Sequence, residues 1–255
     1  MTVHFVGAGP GAPDLITVRG AELVARCPVV IYAGSLVPRA IVARARAGAR
    51  VLDSAGMTLD EIVAEMRTAH ARGEDVARVH TGDPLLFGST AEQMRRLDAL
   101  GLPYEVVPGV SSFSAAAAAL RRELTVPGVS QAVILARAAG RPPVPERQDL
   151  AALGAHRATL ALFLSAQLLD EAVAALVPAY GADCPAAIVH RASWPDERVL
   201  RGRLAELAAL SRAHGVDATA MVLIGPALDA EGFPDSRLYA PDFGHGFRVA
   251  REGQP

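Results

Sequence analysis

Short apolar runs that read as buried strands alternate with amphipathic segments along most of the chain. In the first half, the pattern predicts a strand beginning at Val3, strands at 29–32, 50–53, 76–80 and 104–107, and helices at 17–26, 58–71 and 91–100. Strands that alternate with helices form layered, mostly parallel sheets. The sequence therefore predicts an α/β fold.

The second half repeats this alternation less regularly. It predicts strands at 132–136, 159–164, 186–190 and 219–224, helices near 148–153, 167–177 and 204–214, and a hairpin within 191–202. A chain of 255 residues is long for one compact domain. We expect an N-terminal α/β lobe at 1–110, a C-terminal α/β lobe at 111–245 and a polar tail at 246–255.

Polar residues before two of the helices predict how those helices begin. Asp14 precedes the helix at 17–26 and is expected to cap it. Thr58 and Glu61 have the spacing of a capping box before the helix at 58–71.

The chain contains no lysine, and all 25 of its lysine and arginine residues together are therefore arginine. The absence of lysine excludes a pyridoxal Schiff base, a Walker-type phosphate lysine and a lysine nucleophile, because each needs an ε-amine. An anionic ligand must instead be held by arginine, backbone N–H groups or hydroxyls. The planar guanidinium suits carboxylates in particular, since it can pair with both oxygens.

Charge, cysteine and histidine patterns exclude several partners. The formal net charge is −2, and no basic stripe alternates with aromatics, so nucleic acid is not expected. The two cysteines lie far apart and the histidines show no ligand spacing, which predicts no metal, no disulfide and a reducing, cytoplasmic location. We expect no membrane partner, because no leader precedes the first strand and no apolar run is long enough to span a bilayer.

The first loop, GAGPGA at 7–12, satisfies a relaxed dinucleotide-binding fingerprint. Pro10 and Pro13 stiffen the segment that should bend into the helix, and the second strand ends without the acidic residue that would bind a ribose. Two functions stay open for this loop at this point: a nucleotide site, or a tight turn with a structural role.

The loop TGDPLLFGS at 81–89 is the strongest motif in the sequence. Asp83 places a carboxylate at the end of a predicted strand, where open α/β sheets bind ligands, and Pro84 stiffens the loop. Such a carboxylate suits a cationic ligand. The alternative is that Asp83 only caps its own turn.

The segment GVSSFSA at 109–115 leads into another helix. It lacks the GxSxG pattern of a nucleophile elbow, so Ser111 and Ser112 are interpreted as hydroxyl donors at a helix start and not as nucleophiles. Simple helix capping is the alternative.

The order of these loops resembles the tetrapyrrole methyltransferases that use S-adenosylmethionine in cobalamin and sirohaem biosynthesis. The resemblance covers nearly the whole chain through VGAGPGAPDLITVRG, VVIYAGSLV, DSAGMTLDEIV, HTGDPLLFG, YEVVPGVSSFSAAAAAL, LFLS, IVHRASWPDERVLRG and MVLIGPAL. Within the family, YAGSLV, DSAGMT, VPGVSSF and GRPPVPE look like the branch that methylates carbon 11 of precorrin-4.

Three positions depart from patterns within the family. Uroporphyrinogen methyltransferases carry an aspartate after the tyrosine of the second strand and a lysine near the third, whereas this chain has Ala33 and no lysine. The acid and base proposed for those enzymes are therefore not transferred. Leu85 and Phe87 stand where serine and tyrosine are common.

The resemblance implies two α/β lobes of the class III methyltransferase type, an active-site trough between them, and a homodimer. The cofactor would be S-adenosylmethionine, with S-adenosylhomocysteine as product. Its implied contacts are Pro10, Gly82, Asp83, Leu86, Ser111, Ser112, Leu164, Ala192, Thr219 and Ala220.

For a substrate rich in carboxylates, the candidate contacts are Gly9, Gly11, Ser35, Arg39, Arg121, Arg122, Arg137 and Arg141. Asp53, Ser54 and Asp83 are candidates for positioning the reactants, and the resemblance identifies no catalytic acid or base.

The activity implied is methyl transfer to carbon 11 of precorrin-4, giving precorrin-5. Three alternatives remain: the same transfer to cobalt-precorrin-4, a nicotinamide-dependent oxidoreductase that uses GAGPGA, and a non-catalytic tetrapyrrole carrier.

Overall fold

The computed structural model describes residues 1–251 and contains two compact units. The first consists of Met1–Leu120, Ile188–Leu200 and Gly215–Met221, and the second of Arg121–Ala187, Arg201–His214 and residues 222–251. The lobe boundaries expected from the sequence stay a prediction. The end of the expected polar tail, 252–255, lies outside the described residues.

The first sheet contains five strands: β1 (Val3–Gly7), β2 (Val29–Tyr32), β3 (Arg50–Asp53), β4 (Val76–His80) and β5 (Tyr104–Val107). They lie in the order β3-β2-β4-β1-β5, and each neighbouring pair is parallel. The carboxyl ends of parallel strands meet at one edge, so the loops that follow β4, β1 and β5 are neighbours.

Five helices accompany this sheet: α1 (Val18–Arg26), α2 (Arg39–Val42), α3 (Leu59–Ala71), α4 (Ala91–Ala99) and α5 (Ser112–Leu120). Successive side chains of a strand point to opposite faces of the sheet, and here they pack into two separate hydrophobic cores. Val6 and Val30 pack with Leu23 of α1, whereas Phe5 packs with Met66 of α3. Fully burying such side chains contributes roughly 1.5–3 kcal/mol each, which explains why apolar residues are in the majority in the central strands.

Side-chain caps determine where two of these helices begin. Thr58 and Glu61 form the predicted capping box of α3. The prediction that Asp14 caps α1 is wrong, because Thr17 Oγ1 accepts the hydrogen bond from Gly20 N–H at 3.1 Å. Thr17 has the extended backbone of a cap residue and stands immediately before the first helical turn.

The second sheet contains β6 (Val133–Arg137), β7 (Thr159–Phe163), β8 (Pro185–His190), β9 (Arg198–Arg203) and β10 (Ala220–Ile224) in the order β6-β7-β10-β8-β9. β6 and β7 are parallel, whereas β7 and β10 are antiparallel. The helices of this half are α6 (Leu150–Gly154), α7 (Leu169–Tyr180) and α8 (Leu207–Ala213). No helix within residues 1–251 combines the length and apolar character needed to cross a membrane.

Candidate functional site

The loops after β1 and β4 are joined through their backbones. Gly9 N–H donates to Gly82 O at 3.3 Å, and Gly82 N–H donates to Gly9 O at 2.7 Å. Both glycines have positive φ angles, 79° and 61°, which a side chain would strain. The GAGPGA loop and the TGDP loop therefore form one paired structure, although 73 positions separate the two glycines (82 − 9).

The loop after β5 packs against the same pair of loops. A β-carbon on Gly109 would collide with Gly82 O, and one on Gly7 would lie 2.6 Å from the Cα of Gly109. From the position of a β-carbon on Gly82, the Cα of Ser111 and the backbone nitrogen of Ser112 are both 3.8 Å away. Glycine lets the three loops approach backbone to backbone.

Asp83 ties two of these loops together. Its Oδ1 accepts from Leu85 N–H at 2.8 Å, and its Oδ2 accepts from Gly109 N–H at 3.0 Å. The first bond is the Asx turn that the sequence offered as an alternative role. Leu86 N–H closes the same turn on Asp83 O at 3.2 Å. The carboxylate thus holds the loops after β4 and β5 together.

Asp53, at the end of β3, likewise joins two loops, those that follow β2 and β3. Its Oδ1 accepts from Gly34 N–H at 3.0 Å and from Ala55 N–H at 2.9 Å. A β-carbon on Gly34 would overlap this carboxylate, so the loop after β2 needs glycine there. Two candidate substrate contacts are exposed here: Ser35 lies in that loop and Arg39 begins α2.

A buried arginine beneath Ser54 was not predicted from the sequence. Arg78 on β4 is 4% exposed; its Nη1 donates to Ser54 Oγ at 2.9 Å and its Nε to Gln93 Oε1 at 3.0 Å. The Ser54 hydroxyl in turn donates to Tyr32 O at 3.0 Å. Burial lowers the pKa of the Arg78 guanidinium to about 10, which leaves it charged at neutral pH.

His80, two residues further along β4, is also buried. Burial and the charge of Arg78 lower the pKa of its imidazole to about 3, and Nε2 has no hydrogen-bond partner among the described residues. The signal for both residues was present in the sequence, because VARVH places basic side chains at alternate positions of an otherwise apolar strand. An alternating pattern is also typical of a strand with one exposed face, so the sequence did not reveal the burial.

Candidate cofactor contacts in the C-terminal half lie where strands end. Arg191 N–H donates to Thr219 O at 2.8 Å, which joins the segment containing the buried Ala192 to the residue that precedes Ala220 on β10. Thr219 has a φ of 50°, and Leu164, which follows β7, has a φ of 52°. Left-handed backbone is unfavourable for a β-branched residue and concentrates at functional sites.

The remaining candidate residues belong to the second unit and differ in how far their side chains are engaged. Leu164 is 67% exposed. Arg137 Nη2 donates to the carbonyls of Pro142 and Pro143. Arg122 Nη2 lies 3.9 Å from Asp229 Oδ1. Arg121 and Arg141 are exposed. The residues the structure describes contain no group of three or more metal-binding side chains.

Comparison with known proteins identifies the family. A model of the tetrapyrrole (corrin/porphyrin) methylases matches residues 2–208. The chain is a tetrapyrrole methylase.

This methylase is similar to proteins of known name along nearly its whole length. It is 51% identical to the precorrin-4 C(11)-methyltransferase of a Sinorhizobium species, over 97% of this chain and 98% of the relative. A solved cobalt precorrin-4 methyltransferase shares 45% identity and a TM-score of 0.87, covering 90% of this chain and 96% of that structure. The match confirms the resemblance and the class III methyltransferase fold.

A more distant structure holds a ligand. The uroporphyrin-III C-methyltransferase of Thermus thermophilus, solved with S-adenosylhomocysteine, is 28% identical to this methylase, with a TM-score of 0.74, over 89% of this chain and 99% of that structure.

Proposed function

We propose that this methylase transfers a methyl group from S-adenosylmethionine to carbon 11 of precorrin-4, giving precorrin-5 in cobalamin biosynthesis. The observation that carries the proposal is the 51% identity, over 97% of the chain, to an enzyme named for that reaction. We also propose that the enzyme is cytoplasmic and forms a homodimer. Light scattering of the purified protein would test the dimer.

The strand-end loops fit S-adenosylmethionine. Glycine at 9 and 82 lets the loops after β1 and β4 pair closely, and Asp83 supplies a negative charge beside them for a zwitterionic, cationic ligand. The cofactor supplies an electrophilic methyl group whose leaving group is a neutral thioether. We assign its methionine part to Gly82, Asp83, Leu86, Ser111 and Ser112, and its adenosine part to Leu164, Ala192, Thr219 and Ala220. Pro10 lies beside the same cofactor in this assignment.

The protein's contribution to this reaction is alignment and exclusion of water. The two buried basic groups near the loops are unsuited to moving a proton at neutral pH: Arg78 stays protonated with a pKa of about 10, and His80 stays neutral with a pKa of about 3. We assign no general base. Asp53, Ser54 and Asp83 act by holding the loops in register.

The substrate carries many carboxylates, and the candidate arginines differ in how far their side chains are already engaged within the protein. The side chains of Arg39, Arg121 and Arg141 are exposed and form no ion pair within residues 1–251. Arg137 is engaged by two proline carbonyls, and Arg122 lies near Asp229. We propose the three exposed arginines as the main carboxylate partners, with Gly9, Gly11 and Ser35 beside the ring.

The second candidate is the same transfer to cobalt-precorrin-4. It is favoured by the 45% identity and TM-score of 0.87 to a cobalt precorrin-4 methyltransferase. Cobalt belongs to the substrate in that reaction, so the protein residues assigned above are the same for both candidates.

Incubation of the enzyme with metal-free precorrin-4 and S-adenosylmethionine, with cobalt rigorously removed, separates the candidates. We expect a singly methylated product and one equivalent of S-adenosylhomocysteine by mass spectrometry. Methylation only after cobalt insertion would transfer the assignment to the cobalt substrate. Calorimetric binding of NAD(P) without S-adenosylhomocysteine binding would favour an oxidoreductase, and tetrapyrrole binding without methyl transfer would favour a carrier.

A further inference from the structure

The segment after β8, residues 191–197, contacts the GAGPGA loop directly. Trp194 Nε1–H donates to Pro10 O at 3.0 Å, and Ala12 N–H donates to Ser193 Oγ at 3.0 Å. The two bonds join positions 184 and 181 residues apart in sequence. Neither Trp194 nor Ser193 was among the site residues predicted from the sequence.

Gly11, between the two bonded residues, lies against the indole ring. A β-carbon at this position would overlap Trp194 Cδ1 and Nε1. The φ of Gly11 is not in the left-handed region, so the requirement for glycine comes from its close packing against the indole. The Trp194 side chain therefore constrains the loop by packing as well as by its hydrogen bond.

The 191–197 segment is itself held in a fixed shape. The Arg191 guanidinium lies 4.2 Å from the centroid of the Trp194 ring, and its Nε donates to Asp196 Oδ1 at 2.8 Å. Ser193 N–H donates to Glu197 Oε2 at 2.6 Å. Arg191 and Ser193 have φ angles of 52° and 68°. Non-glycine residues persist in this conformation only where the surroundings enforce it.

We infer that Trp194 is a positioning residue for cofactor binding, an inference that rests on the proposed function. Trp194 fixes Pro10, and the paired bonds of Gly9 with Gly82 carry that constraint to the TGDP loop and Asp83. The GAGPGA loop is therefore held in shape by a segment from the C-terminal half of the chain.

Trp194→Phe, which removes the N–H donor and keeps an aromatic ring, tests the inference. The matched control is Tyr180→Phe, which removes a donor to a backbone carbonyl in the second unit, Tyr180 Oη to Ala158 O at 2.6 Å. We expect Trp194→Phe to weaken S-adenosylhomocysteine binding about tenfold, because a loop released at Pro10 must be ordered again when the ligand binds. Tyr180→Phe should stay within about twofold of wild type, although both variants lower the melting temperature.

Hydrogen exchange of the ligand-free proteins reports on the loops independently of any activity. Trp194→Phe should accelerate amide exchange in the peptides that contain Gly9–Ala12 and Gly82–Asp83, whereas Tyr180→Phe should not. Gly11→Ala should reproduce the effect, and the double variant should fall short of the sum.

These measurements distinguish failure of the proposed function from failure of the inference about Trp194. Wild-type protein that does not bind S-adenosylhomocysteine would overturn the proposed function, and the inference with it. If the wild type binds, unchanged exchange in both peptides, or equal affinities of Trp194→Phe and Tyr180→Phe, would overturn the role of Trp194 and leave the proposed function intact.

Discussion

At the scale of single residues, Asp83 and Asp53 use the same arrangement. Each aspartate ends or follows a strand, accepts the N–H two residues ahead, and accepts a second N–H from a glycine of a neighbouring loop. A carboxylate can accept several such bonds and retains its charge while doing so. Asp83 can therefore shape the loops and still attract a cationic ligand.

Replacing Asp83 with alanine should affect both stability and binding. The change leaves Leu85 N–H and Gly109 N–H without acceptors, and we expect S-adenosylhomocysteine affinity to fall at least about tenfold. Asp149→Ala is the matched control, because Asp149 Oδ1 also accepts a backbone N–H, from Ala152 at 2.7 Å at the start of α6. Titration calorimetry with thermal melts decides: equal affinity losses in the two variants would argue against a binding role for Asp83.

The buried His80 should make stability depend on pH. Its pKa in the folded protein, about 3, lies below the ordinary value of 6.5, so the unfolded chain binds the extra proton between these values. His80 therefore favours folding fully above the unfolded pKa, and this contribution is lost as the pH falls toward the folded pKa. The slope is about 1.4 kcal/mol per pH unit, or about 2 kcal/mol between pH 6.5 and pH 5.

Urea unfolding of wild type, His80→Leu and His70→Gln near pH 7 and pH 5 measures this contribution. His80→Leu should lose about 2 kcal/mol less than wild type on acidification. The exposed His70→Gln variant should keep the wild-type dependence. The same loss in all three proteins would show that His80 takes up its proton without unfolding.

At the scale of elements, the sequence predicts the first sheet almost completely. The predicted 29–32, 50–53, 76–80 and 104–107 match β2, β3, β4 and β5 residue for residue. These strands are bounded by glycine and proline loops, and the buried ones are nearly continuous apolar runs, so few alternatives compete. Boundaries drift more in the second half, where α7 runs to Tyr180 and not to the predicted 177.

The sequence did not predict which distant elements pair with one another. Nothing in the residues fixes the order β3-β2-β4-β1-β5, yet that order brings Gly9, Gly82 and Gly109 together. The antiparallel pairing of β7 with β10 and the bond from Trp194 to Pro10 depend on long-range packing in the same way. The motifs could be found in sequence, but their neighbours could not.

The start of α1 offers a test at this scale. Thr17→Ala removes the acceptor for Gly20 N–H and should destabilise the protein by about 1 kcal/mol, as loss of a helix cap does. Asp14→Ala should change stability much less, because Thr17 already provides the cap. Urea unfolding of both variants checks the assignment, and the reverse ranking would restore Asp14 as the cap.

At the scale of the whole molecule, the two compact units are interleaved along the chain. The backbone passes from one unit to the other five times, after Leu120, Ala187, Leu200, His214 and Met221. The Ile188–Leu200 segment, which carries Trp194 and Ser193, is tied at both ends to chain of the second unit. Unfolding of the second unit would therefore release the ends of the segment that holds the GAGPGA loop.

We expect differential scanning calorimetry to show one cooperative transition despite the two units. Saturating S-adenosylhomocysteine should move that whole transition upward, since ligand at about a hundred times its Kd stabilises the native state by about 2.7 kcal/mol. Trp194→Phe should show a smaller shift at the same ligand concentration, because its affinity is lower. Two resolved transitions, only one of which responds to ligand, would mean that the units unfold independently and that the interleaved segments do not couple them.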